Sequence, residues 1–224
     1  GLIAGYFGGR LDSLIMRALS PVANVDIAAT LDNRVADIKG SVRSAAMVLG
    51  ASGVADMGEG RFNDLALDIQ LLRPSIIARN VSGTNVRGKA LLNGAFAGPT
   101  VAYSATATRL SFDTTTFEGV TLSGEAQGQT DRFLIPVNAR ARRVTGINQI
   151  AGGLLTNVRM NGDLAIANGR LLSDNMKIRS DRINATALIV GDIAKGFYTG
   201  ALNGKVDGFQ VDSVGLFNVV ADVD

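Results

Sequence analysis

Paired carboxylates can pass a proton in hydrolysis or hold calcium. The chain offers Asp26, Asp68, Asp113, Asp163, Asp181, Asp207, Asp212, Asp222 and Asp224 for such work. Each falls on the polar phase of an alternating segment or beside a turn glycine, where aspartate is ordinary. Asp212, Asp222 and Asp224 could approach one cation, but no Asp-x-Asp-x-Asp-Gly loop frames them. Ser104, Ser111 and Ser123 have no imidazole to activate them, because the chain has no histidine, and no Ser-x-x-Lys occurs. Gly5-Tyr6-Phe7-Gly8-Gly9 is not followed by the Gly-Lys-Ser/Thr of a phosphate loop. Cysteine and tryptophan are also absent, which excludes thiol nucleophiles, disulfides and thiolate or imidazole metal sites. The expectation is a protein that is not an enzyme and uses no metal or cofactor.

Charge excludes another class. Twenty-two Lys and Arg against 20 Asp and Glu leave +2, and aromatics are 5% of the chain. A nucleic-acid surface wants a basic stripe with interleaved aromatic residues, so no nucleic-acid partner is expected. The densest basic run, Arg140-Ala141-Arg142-Arg143, reads as a solvated strand end, able to touch lipid headgroups if a membrane is near.

The elements that position these residues are read from periodicity. Val25, Ile27, Ala29 and Leu31 alternate with polar or small residues, as do Leu65, Leu67, Ile69 and Leu71. The same period of two runs through Val101, Tyr103, Ala105 and Ala107, then shifts phase to Leu110 and Phe112, which predicts a bulge near Thr108-Arg109. It returns in Phe133, Ile135, Val137 and Ala139; in Val158, Met160, Gly162, Leu164 and Ile166; in Ile183, Ala185, Ala187 and Ile189; and in Phe217, Val219, Ala221 and Val223. Alternation of this kind marks half-buried strands of antiparallel or solenoid β structure. Two stretches carry helical spacing instead and predict short helices near 10–19 and 146–156.

Glycine punctuates the chain, 27 residues against 4 prolines. Leu92-Asn93-Gly94, Leu122-Ser123-Gly124, Met160-Asn161-Gly162 and Leu202-Asn203-Gly204 repeat one frame at irregular intervals. Asn-Gly alone favours a hairpin turn, but glycine inside a strand lets a sheet bend or a neighbouring backbone approach. At 224 residues with 46% hydrophobic and 19% charged, the chain can bury a real core. It reads as one repetitive β segment over 1–224, cut from a longer protein, with no run of eighteen or so apolar residues to span a membrane as a helix.

Arg79-Asn80-Val81-Ser82-Gly83 and Arg87-Gly88-Lys89-Ala90-Leu91-Leu92-Asn93-Gly94-Ala95-Phe96-Ala97-Gly98-Pro99 resemble the strand repeats of the TamB and wider AsmA-like (YdbH-like) group. Leu122 to Gly128 and Gly162 to Gly169 continue that texture. The resemblance implies an all-β, elongated, curled sheet, a β-taco or solenoid-like groove, with two short helices. It implies a bridge-like protein of the Gram-negative periplasm, its parent anchored in the inner membrane outside this segment. Its partners would be phospholipid acyl chains on their way to the outer membrane and, in outer-membrane protein assembly, a β-barrel protein. The family offers no catalytic residues.

The candidate groove is the more apolar phase of each strand: Val25, Ile27, Leu31, Leu65, Leu67, Ile69, Val101, Tyr103, Phe133, Ile135, Val137, Leu164, Ile166, Ile183, Ile189, Val219 and Val223. The alternative is a structural or adhesive solenoid or sandwich whose apolar residues form a closed core.

Overall fold

The computed structural model describes residues 23–76, 80–129, 132–146, 154–192, 197–206, 209–211 and 216–220, with side chains up to Gly191, Leu154 excepted. Strands occupy well over half of them and form a single 15-stranded antiparallel sheet. The strands are β1 (Asn24–Asp32), β2 (Val35–Arg43), β3 (Met47–Asp56), β4 (Arg61–Leu71), β5 (Val81–Thr84), β6 (Val86–Ala95), β7 (Thr100–Phe112) and β8 (Thr115–Gly128). They continue with β9 (Phe133–Thr145), β10 (Leu154–Ala167), β11 (Arg170–Arg179), β12 (Ile183–Asp192), β13 (Phe197–Val206), β14 (Phe209–Val211) and β15 (Leu216–Val220).

Pairing follows chain order. β5 and β6 both pair with β7, as two pieces of one rung, and β14 and β15 share β13 in the same way. Hairpin turns of the primed type need positive φ, and Asn33-Arg34 (φ 43 and 68) and Asn168-Gly169 (φ 50 and 72) supply it. Asn93-Gly94, Asn161-Gly162 and Asn203-Gly204 lie inside strands.

The expected pair of short helices is not found among the described residues. The segment 10–19 lies outside the described residues. Of 146–156, residues 147–153 lie outside them, and Leu154, Leu155 and Thr156 open strand β10. Of the residues that carry the helical spacing, Ile147 and Ile150 lie outside the described residues, and Leu155 packs as a strand residue in an apolar cluster with Val144. Among the described residues the one helical element is a 3-10 turn at Pro74–Ile76.

A three-residue step recurs across the sheet. Apolar positions skip from Gly83 to Val86, Ala107 to Leu110, Phe117 to Val120, Ala141 to Val144 and Leu155 to Val158. The skipped positions align as Asn85, Thr108, Gly119, Arg142 and Asn157, and Asn85, Gly119 and Asn157 have φ of 53°, 61° and 52°. A left-handed residue turns the following side chain to the other face. The bulge expected near Thr108-Arg109 is therefore corrected: Ala107 opposes Val120 and Arg109 opposes Glu118 with no slip in register. The strands share a crease, and Asn85 Nδ2 donates across it to Thr108 Oγ1 at 3.1 Å.

True bulges sit in β4 and β11, each with one residue more than both neighbours, at Asn63-Asp64 and at Asp174-Asn175. Both are clamped the same way. The Asp64 N–H donates to Asn93 Oδ1 at 2.7 Å, and Asn93 Nδ2 donates to Asp64 Oδ1 at 3.0 Å. The Asp163 N–H donates to Asn175 Oδ1 at 2.8 Å, and Asn175 Nδ2 donates to Asp163 Oδ2 at 2.9 Å.

Candidate functional site

Register turns the alternation of single strands into ranks that cross the whole sheet. Directly opposed residues run Val25, Val42, Leu49, Ile69, Gly88, Ala105, Leu122, Ala139, Met160, Ile178 and Ala185. No polar residue interrupts them. On the opposite face, one position along, the rank is Asp68, Lys89, Ser104, Ser123, Asn138, Asn161, Lys177 and Thr186. Period two thus gives the sheet an apolar side and a polar side.

The candidate residues from Val25 to Ile189 fall on the apolar side. Val25 and Ile69 belong to the rank above. Ile27, Leu67 and Tyr103 share the next, through Gly40, Ala51 and Ala90, and it reaches Gly124. Leu65 leads through Leu92 to Val101 and Ala126, and Leu31 through Ala36 and Ala55 to Phe62. Farther along, Ile135 opposes Leu164, Phe133 opposes Ile166 and Val137 opposes Gly162. Ile189 opposes Ser173, and Ile183 opposes Val206. Val219 opposes Tyr198 in backbone register, and Val223 lies outside the described residues.

Burial along this side is graded. The edge strand β1 leaves Val25, Ile27 and Leu31 58%, 61% and 69% exposed. Toward the middle, Leu92 falls to 3%, Val137 to 7% and Met176 to 0%. Three apolar clusters form there, around Phe62 and Leu92, around Val144 and Leu155, and around Val137 and Met176. All belong to one sheet. Each large aliphatic group buried there gains roughly 1.5–3 kcal/mol. Ser173 is the exception: it is 2% exposed and its hydroxyl has no partner.

Tyr103 reaches over Gly124 to donate its hydroxyl proton to the Pro136 carbonyl, and burial raises its pKa. A Cβ at position 124 would collide with the Pro136 oxygen and lie 2.5 Å from the Tyr103 hydroxyl, so glycine is required for this close approach. A shallow depression of about 400 Å³ crosses β4, β6, β7 and β8 on the polar face, lined by Asp68, Lys89, Leu91, Ala102, Ser104 and Ser123.

The aspartates do not converge. Asp68 pairs with Lys89 at 3.5 Å, Asp163 is held by Asn175, and Asp113 accepts from Asn80 at 3.0 Å. Asp181 accepts from the Thr156 hydroxyl at 2.7 Å and its N–H at 3.0 Å, which lowers its pKa. Asp207, Asp212, Asp222 and Asp224 lie outside the described residues. Among the described residues no three carboxylates gather as a metal site.

The residues that sequence reading missed are those defined by pairing: Leu92 and Met176 in the clusters, and the Asp64–Asn93 and Asp163–Asn175 clamps. The clamp partners are 29 and 12 residues apart in the chain, so no local pattern reveals them. No family model, curated protein or solved structure matches this chain.

Proposed function

We propose that this chain is a segment of a periplasmic, bridge-like protein of the TamB and AsmA-like kind, whose apolar side shelters phospholipid acyl chains in transfer to the outer membrane or serves outer-membrane protein assembly. The observation that carries the reading is the unbroken apolar rank from Val25 to Ala185, backed by a polar rank on the other face. An acyl chain needs a path without polar interruption, since each sheltered CH₂ gains about 0.8 kcal/mol. A single sheet that buries Leu92 and Met176 with no second sheet among the described residues does so by curling over its own apolar side. Glycines set inside strands β6, β8, β10 and β13 suit that bend.

The closed core remains the second reading, favoured by the complete burial of Met176. Native mass spectrometry of the purified chain separates the two. Bound phospholipid that organic extraction removes while the sheet stays folded supports the groove. A lipid-free chain that also takes up no fluorescent fatty acid rejects it in favour of the closed core.

A further inference from the structure

The polar side carries a second feature that the apolar interior does not explain. Arg140 opposes Arg159, and Arg159 opposes Arg179, on three successive strands, β9, β10 and β11. All three are exposed, and Lys177 flanks them on the same face, two residues along β11. Side chains directly opposed in a sheet stand about 5 Å apart, and like charges so placed are destabilising.

No ion pair among the described residues joins them to a carboxylate. The ion pairs of the described residues join Arg61 to Glu59, Lys89 to Asp68 and Arg109 to Glu118. Asp181 and Asp163 keep their charge but bond to Thr156 and Asn175 and form no ion pair with the row. A row of unpaired guanidinium groups is a docking surface for phosphate, which Arg meets with two parallel hydrogen bonds. The strands on either side bring no aromatic to this face to stack a nucleic-acid base: the row runs on into Thr121 on β8 and Asn184 on β12, and the adjacent rank holds Asn138, Asn161 and Lys177.

We propose that the Arg140, Arg159 and Arg179 row docks this face of the sheet on the phosphate headgroups of an anionic bilayer. The apolar side faces the other way, so this reading stands whether or not the interior carries lipid.

The test is vesicle flotation with the full chain, comparing phosphatidylcholine vesicles with vesicles containing about 30% phosphatidylglycerol. Binding should require phosphatidylglycerol and fall steeply with salt. Combined Arg140→Gln, Arg159→Gln and Arg179→Gln should weaken it about a hundredfold, or about fivefold per charge. Because the substitutions relieve opposed charges, the variant should melt no lower than the parent. Lys39→Gln, on β2, is the control and should bind as the parent does. Equal binding to both vesicles, or an unaltered triple variant, overturns the proposal. Displacement by millimolar inorganic phosphate at constant ionic strength would assign a discrete phosphate site and overturn the membrane surface. Tighter binding of an oligonucleotide that the triple variant loses would overturn it in favour of nucleic acid. Should the triple variant fail to fold, Arg159→Gln alone, with the salt dependence of the parent, decides.

Discussion

A carboxylate placed at Ile135 separates an interior that water and lipid can enter from one that is sealed. Ile135 is half-buried, opposes Leu164, and packs on the cluster of Val137, Met176 and Ala187. Losing half of its burial costs about 1–1.5 kcal/mol. If the interior opens to solvent, the new carboxylate keeps most of its hydration and adds about 1 kcal/mol more. Ile135→Asp should then lose about 2–3 kcal/mol, or roughly 5–10 °C in Tm at 2–4 °C per kcal/mol. It should fold, and it should carry less lipid, because a charge breaks the apolar path. Met176→Asp is the internal standard: at 0% exposure it buries the charge outright and should lose about 4–5 kcal/mol or more. Any burial of the new carboxyl raises its folded pKa. The penalty is then absent below the unfolded value of about 3.9, grows as pH rises above it, and levels off once pH passes the folded value. The assay is thermal melting by circular dichroism at pH 4 and 7, with lipid content from native mass spectrometry. An Ile135→Asp protein that melts as low as Met176→Asp would refute the open interior. One that folds and holds lipid as the parent does would refute the acyl path.

Asn93→Ala and Asn175→Ala each remove two clamp hydrogen bonds and should each cost about 1–2 kcal/mol in thermal or urea denaturation. The sites are well separated, so the losses should add; a loss under about 0.3 kcal/mol at both would make the clamps incidental. Ser173→Ala deletes a buried hydroxyl that has no partner, and stability should hold or rise by up to about 1 kcal/mol. A clear loss would mean that the hydroxyl is bonded. Asp181, with its pKa lowered by the Thr156 hydroxyl and N–H, stabilises the fold above about pH 3.9 and loses that effect as pH falls through its folded value. Carbon-detected NMR titration should find its midpoint below that of an ordinary aspartate, and Thr156→Val should move it upward.

The strands legible in the chain were those whose apolar phase is large. β1, β4, β7, β9, β10 and β12 carry Val, Ile, Leu, Phe or Tyr at alternate positions, and side-chain direction in a strand alternates with the same period. β2 and β8 escaped because Gly40, Gly124 and short runs of Ser and Thr dilute the pattern. The phase change at Thr108 was visible. That it is a crease and not a bulge depends on β8 and β10 making the same step with Gly119 and Asn157, which only register reveals. Of the apparent helix at 146–156, the described end from Leu154 to Thr156 opens β10, while 147–153 lie outside the described residues. The candidate apolar face was readable strand by strand. The clamps and the arginine row were not, because each is made by partners that meet only when hairpins close.

Pairing that follows chain order has a kinetic consequence. Apart from the short β5, each strand docks on one made at most two strands earlier, so the sheet can grow hairpin by hairpin with little loop-closure entropy at any step, unlike most β architectures. Cooperativity is then short-ranged, as in repeat proteins, where each unit feels only its neighbours. Opening should start at β1, whose second edge has no partner among the described strands, and travel inward until it meets the Asp64–Asn93 clamp. Native-state hydrogen exchange would record this as protection rising from β1 to β6, with the bulge in β4 acting as a latch between a fraying margin and a slow interior.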